Sequence, residues 1–289
     1  MDLEEDEVSS PEAEPSTGTT GGKKRPPSGG GRGDSGGGDE TFGGQMSFLD
    51  HLEELRQRLF YAVAWLLIAF GVAFFFHERI YEFFAEPITG ALKDLGLGEK
   101  LIYTNPMQPF NVYVKISFVG AIFLASPAIF WQLWLFISPG LYRNEKKYIL
   151  PFVTLTSTLF VSGSYFAYKL AFPPVFRFLF TFGEQFQPMI HIDEYFGLAT
   201  TLLLGMGLVF EIPVLVLILS IFGIVTPKLL LKNIRYAMLI IAVITAALAP
   251  TPDVTTLLLF FFPMVGLYFL SIGLSWLVHK KKKSSAEVE

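Results

Sequence analysis

The chain has no cysteine among its 289 residues, which excludes a disulfide framework, a thiolate metal site and a cysteine nucleophile. Charge is sparse too: Asp, Glu, Lys and Arg make up 17% of the sequence against 52% apolar residues, a balance on which a water-exposed globule would aggregate. Histidine occurs only at His51, His77, His191 and His279, with no ligand spacing, so no metal is expected. No Ser or Thr has a partnered base and no glycine-rich strand-to-helix loop is present. The chain is therefore not read as an enzyme, and no cofactor is expected. Nor does the stretch before Met46 hold the apolar core of a cleavable secretory signal.

What the sequence does contain is long apolar runs, several of roughly 18 to 25 residues, the length that crosses a bilayer as helix. The fold class expected is all-α, a polytopic helical membrane protein. The net charge of −4 says little about partners, because Asp2, Glu4, Glu5, Asp6, Glu7, Glu12 and Glu14 crowd the first fourteen residues.

Three parts are expected. Residues 1–45, rich in Glu, Pro, Ser, Thr and Gly, bury too little to offset their ordering entropy and read as a disordered tail. Either this is a natural extension or Met46 is the true start. Residues 46–279 form the membrane body, and 280–289 a basic and polar tail. In the body, an amphipathic foot from Ser47 to Arg58 leads into the first run, Leu59 to Phe76. His77 to Gln108 is broken by Pro87, Gly90, Gly96, Gly98 and Pro106 and reads as short surface helices and turns. Further runs are Val112 to Ile137, Tyr148 to Phe172, Phe196 to Ile224, Tyr236 to Ala249 and Val254 to Val278. Pro173 and Pro174 are expected to break the third run at a water interface. The fifth run covers only about 21 Å at helical rise, less than the hydrocarbon core, and should thin the bilayer or be shielded.

If six helices alternate, Arg56, Arg58, Arg143, Lys146, Lys147, Lys228, Lys232, Arg235 and Lys280 to Lys283 share one side. By the positive-inside rule both termini are then cytoplasmic. The terminal lysine run beside a membrane helix reads as an anionic-lipid anchor, and no nucleic-acid partner is expected.

Two acids on that side stand out, Glu54 in His-Leu-Glu-Glu-Leu-Arg-Gln-Arg-Leu and Glu145 in Ser-Pro-Gly-Leu-Tyr-Arg-Asn-Glu. A surface carboxylate can accept a bidentate pair of hydrogen bonds from a guanidinium, so two of them could receive two adjacent arginines. On composition alone, local neutralisation of Arg56, Arg58 and Arg143 is the stronger reading. Glu211 lies deep in the fourth run, where an ionised carboxylate costs several kcal/mol, so it must be neutral, paired or wet. On the residues alone, a proton carrier and a polar lining both remain open. Pro213 should kink this helix and help form a concave wall, and Asp253 is placed to cap the last run.

The string His51 to Leu59, the stretch Trp134 to Glu145, the pair Phe210 and Glu211 with Pro213, and the turn Pro250 to Asp253 before Pro263 and Met264 together resemble the TatC family. The resemblance covers roughly Met46 to Val278 and implies a concave body of six transmembrane helices in the bacterial inner membrane. It implies further that Glu54 and Glu145 read the twin arginines of a signal peptide, reversing the composition-based reading. Arg56, Phe136, Pro139, Leu141 and Tyr142 would shape the surface between them. Folded cargo would cross with single-span TatA-type and TatB-type partners in a multi-copy complex, at the expense of the proton motive force. Pro87 and Asp253 match family positions and read as shaping a loop cap and a short turn. Some relatives carry Gln one turn after this Asp in a partner-docking patch; here Leu257 stands there, with Thr255 and Thr256 as the nearby polar substitutes. That relatives can carry Gln at the place of Glu211 argues against an obligatory proton carrier. A solute transporter using Glu211 is the main rival, but it predicts an internal repeat, and none is found; a passive scaffold would leave Glu54 and Glu145 dispensable.

Overall fold

The structure is a computed structural model, and it describes residues 48–94, 96, 101–137, 149–183, 185–186 and 188–286. All of them belong to one compact unit, Met46–Glu289. Among the described residues there is no strand, only an isolated bridge between Ile102 and His191. The helices are α1 (Phe48–Phe75), α2 (His77–Asp94), α3 (Gln108–Ile137), α4 (Ile149–Phe166), α5 (Phe172–Phe182), α6 (Ile192–Phe210), α7 (Ile212–Ile221), α8 (Pro227–Lys232), α9 (Ile234–Leu248) and α10 (Val254–Ala286).

Among the described residues, five helical segments are long and apolar enough to cross a membrane: His51–Phe75, Gln108–Ile137, Leu150–Phe182, Ile192–Ile221 and Val254–His279. The shorter apolar helix Ile234–Leu248 corresponds to the fifth run of the sequence. Helix α1 packs along α3, α4 along α6, and α7 along α10.

Small residues allow these approaches. Ala69 and Ala73 of α1 face Ala121 and Ala125 of α3, each pair one turn apart, so the two backbones meet without long side chains between them. The α4–α6 seam is tighter. A Cβ on Gly163 would come within 2.6 Å of the Met206 carbonyl oxygen and the Phe210 ring, and one on Gly207 within 2.7 Å of Ser164 Oγ. Ser164 exploits the approach by donating across the seam to the Leu203 carbonyl at 2.8 Å.

In three places the chain departs from the expected elements. First, Pro173 and Pro174 do not end the third span. Lacking N–H groups, they cannot supply the usual i to i−4 bonds to Lys169 and Leu170, and the turn Ala167–Ala171 widens to a π-turn closed by the Phe172 N–H on the Ala167 carbonyl. The two prolines then occupy the first turn of α5, where no N–H is needed. Second, His77 to Asp94 is one helix rather than a set of turns, with Phe84, Ala85, Ile88 and Leu92 buried on one face. Third, α10 runs on to Ala286 through the lysines, which are good helix formers with no breaker among them.

Candidate functional site

Helix α1 brings His51, Glu54 and Arg58 to one face by their three- and four-residue spacing. His51 stacks on Phe136 near the end of α3, ring centroids 4.4 Å apart and planes inclined by 16°. Glu54 accepts from Arg58 Nη2 through Oε1 at 3.3 Å. The pair is sheltered, with side chains 14% and 28% exposed respectively. Glu54 Oε2 and Arg58 Nε are buried without a hydrogen-bond partner among the described residues. Among the described residues the carboxylate is thus held by one long contact, and one of its oxygens is left without a donor.

Arg56 is not brought to this face. It lies on the exposed side of α1, 3.8 Å from Glu53, with its guanidinium 5.8 Å above the Phe60 ring. Glu145, Pro139, Leu141 and Tyr142 lie outside the described residues. His51 and Arg58 belong to the arrangement although sequence reading did not single them out as site residues; their signal was the i−3 and i+4 spacing about Glu54.

One turn from Phe136 on α3, Gln132 enters an open groove of about 630 Å³ between α1, α3 and α4. Trp65 and Trp131 form apolar walls, while Thr154, Ser157 and Thr158 line it from α4. Among the described residues Gln132 Oε1 and Ser157 Oγ are buried without partners, so the groove has polar capacity within mostly apolar walls.

Glu211 sits at the break between α6 and α7. Pro213 supplies no N–H to the Val209 carbonyl, α6 stops at Phe210, and the Glu211 N–H turns back to Leu208 O at 3.1 Å. The expected kink is therefore a break placed at the carboxylate itself. Glu211 is 7% exposed, and its Oε1 has no partner among the described residues.

Pro87, expected to shape a loop, lies inside α2. Its missing N–H frees the Phe83 carbonyl, and the Tyr168 hydroxyl donates to that oxygen at 2.7 Å, with Glu86 Oε2 beside it at 2.8 Å. Tyr195 donates in the same way to Phe84 O. Pro87 thereby docks α2 onto the π-turn, and Tyr195 separately ties α2 to α6.

Asp253 caps α10: Oδ2 accepts from the Thr256 N–H at 2.8 Å and Oδ1 from the Thr251 hydroxyl at 2.6 Å. Burial raises this carboxyl's pKa, but the Thr251 and Thr256 hydrogen bonds outweigh it and hold it below the usual range. Asp253→Ala should lower stability by about 1 kcal/mol in thermal unfolding at neutral pH. Because the folded-state pKa is depressed, the cap's contribution is fully present above the unfolded value of about 3.9 and is lost as pH falls through the folded one. The gap between wild type and variant should therefore close in acid. Thr255 is exposed on α10, whereas Thr256 is wholly buried.

Long apolar helices packed through small residues, with polar groups held inside their spans, define a polytopic helical membrane protein. Residues 50–263 match the family described as Sec-independent protein translocase protein (TatC). The Sec-independent protein translocase protein TatC of Koribacter versatilis (strain Ellin345) is 46% identical over 238 residues, covering 82% of this chain and 88% of that protein. Its counterpart in Helicobacter pylori (strain J99 / ATCC 700824) is 41% identical over 236 residues, covering 81% and 91%. The crystal structure of the twin arginine translocase receptor TatC superposes with a TM-score of 0.67 at 35% identity, covering 79% of this chain and 99% of that one. The chain belongs to the TatC family. It is a multi-span subunit of a protein translocase, a transport protein rather than a catalyst.

Proposed function

We propose that this chain is the signal-peptide receptor and core subunit of a twin-arginine translocase in the bacterial inner membrane. In this reading six helices cross the bilayer, α9 being the short one, with both termini cytoplasmic. The body is 46–279, flanked by tails 1–45 and 280–289. The observation that carries the reading is the carboxylate of Glu54, sheltered at the foot of α1 and engaged, among the described residues, by Arg58 alone at 3.3 Å. A peptide guanidinium offers both oxygens a bidentate pair, a stronger arrangement than the one Arg58 provides. Arg58 would swing aside, and the unused Oε2 would gain its partner. Glu145 would receive the second arginine. The apolar part of the signal peptide would then follow the groove past Trp65 and Gln132 on the concave face. Single-span TatA-type and TatB-type subunits would dock near Thr255 on α10, in a multi-copy assembly that moves folded cargo using the proton motive force.

The test is photo-crosslinking of a labelled twin-arginine peptide to the full chain in membranes, beside a twin-lysine peptide and the variants Glu54→Ala and Glu145→Ala. A charge-assisted hydrogen bond of this kind contributes roughly 1.5–3 kcal/mol, so either glutamate's loss should cut labelling about tenfold or more. Equal labelling by both peptides, unchanged in both variants, would sink the receptor reading and favour a solute transporter.

A further inference from the structure

Lys115 is the only charged residue of α3, thirty residues long, and it lies two turns in from the start of that helix. At helical rise α3 measures about 44 Å, so centred on a ~30 Å hydrocarbon layer it overhangs by about 7 Å at each end. Seven residues from Gln108, Lys115 has its Cα about 3 to 4 Å inside the hydrocarbon edge on that count. Its four-carbon stem can carry the ammonium back to the headgroup level while the stem itself stays among apolar groups.

Among the described residues no carboxylate answers this charge. Among the described residues the ion pairs join Arg56 to Glu53, Arg58 to Glu54 and Lys169 to Glu86, and Lys115 has none. An unpaired ionisable group within a membrane span calls for a partner. The surface around Lys115 is shaped to receive one. An open groove of about 400 Å³ runs between α1 and α3, walled by Leu66, Leu67, Phe70, Val114 and Phe118, with Asn111 and Lys115 as its polar members. Asn111 lies one turn from Lys115 toward the start of α3, on the headgroup side, and is exposed.

We infer that this groove seats one anionic phospholipid of the far-side leaflet, its phosphodiester on Lys115 and Asn111 and an acyl chain along Leu67, Phe70 and Phe118. A cation with a neutral carboxamide beside it complements a headgroup of net charge −1. A zwitterionic headgroup brings its own ammonium against Lys115 and fits less well. The apolar walls favour an acyl chain over free phosphate, which would leave them unfilled. The site lies toward the far end of α1 from Glu54, so its failure and that of the receptor reading are separable.

The test is native mass spectrometry of the full chain released from bilayers of equal phosphatidylglycerol and phosphatidylethanolamine. Wild type should retain one phosphatidylglycerol in preference to phosphatidylethanolamine. Lys115→Gln should lower that preference about fivefold, the contribution of one lysine near a charged membrane surface. Lys115→Arg should keep it, and Val114→Phe, which fills the groove without touching the charge, should lose it. Thermal unfolding of wild type in lipid-free detergent gives a second reading without any substitution: added phosphatidylglycerol should raise the midpoint more than phosphatidylethanolamine does. Equal retention of the two lipids by wild type, or retention by Val114→Phe matching wild type, would overturn the inference, as would a midpoint indifferent to headgroup.

Discussion

Gly207→Leu should drive α4 and α6 apart and leave little folded protein, because even a Cβ at this position meets Ser164 Oγ at 2.7 Å and the Phe160 ring at 2.8 Å. Neither neighbour can step aside cheaply. Phe160 is buried and packs against Phe123 and Phe130, and Ser164 is committed to the Leu203 carbonyl. Extra methylenes in a filled core cost about 1–3 kcal/mol each time they force such shifts, and a leucine here also breaks the interhelical hydrogen bond. A total of about 3 kcal/mol or more is a large share of the 5–15 kcal/mol that holds an ordinary domain. Gly163→Leu, which meets the Met206 backbone at 2.6 Å, should behave alike. Gly90→Ala is the contrast: nothing stands within 4 Å of its Cβ, and a helical alanine should be neutral or better by up to about 1 kcal/mol. Thermal unfolding of the three variants, purified in detergent, reads the difference. A Gly207→Leu protein as stable as wild type would show that the seam can open.

The spans were legible in the sequence because burial in lipid is a local demand: a run of apolar residues long enough to cross must be a helix wherever it lies. The short fifth run, a bend at Pro213 and the Asp253 cap were legible for the same reason, each depending on neighbours within a turn, whereas the break at Glu211 itself was not. What was hidden depends on partners distant in the chain. Pro87 looked like a loop residue, yet α2 passes through it because Tyr168, 85 positions from Phe83, takes the carbonyl that the proline orphans. Pro173 and Pro174 looked like a helix end, and a π-turn upstream absorbed them instead. At the foot of α1, Glu54 could be singled out from its string, and Arg58 stood at a readable i+4 spacing. The His51–Phe136 stack could not be read, since it exists only where α1 lies against α3. Arg56, two residues from Glu54, points to another face, as helical geometry requires of that spacing.

Glu211 offers the sharpest separation of stability from function. Its carboxyl is 7% exposed at a helix break, one oxygen lacks a partner among the described residues, and the residues on either side, Phe210 and Ile212, pack against the core. A buried polar atom left unsatisfied costs roughly 1–3 kcal/mol, so Glu211→Leu should raise stability by about that amount while removing the polar group from the span. If that group is there to hold a partner helix or an inserted signal peptide, export of a twin-arginine reporter by the leucine variant should fall severalfold as its unfolding midpoint rises. Glu211→Gln keeps hydrogen-bonding capacity but cannot carry a proton, and it should retain most of the export. The two variants together discriminate the roles: a polar lining predicts that glutamine works and leucine does not, whereas a proton carrier predicts that both fail in a folded protein. A leucine variant that gains stability and exports normally would assign Glu211 to neither. The break in the helix would then belong to Pro213 alone, whose missing N–H is enough to end α6 without any help from the carboxylate.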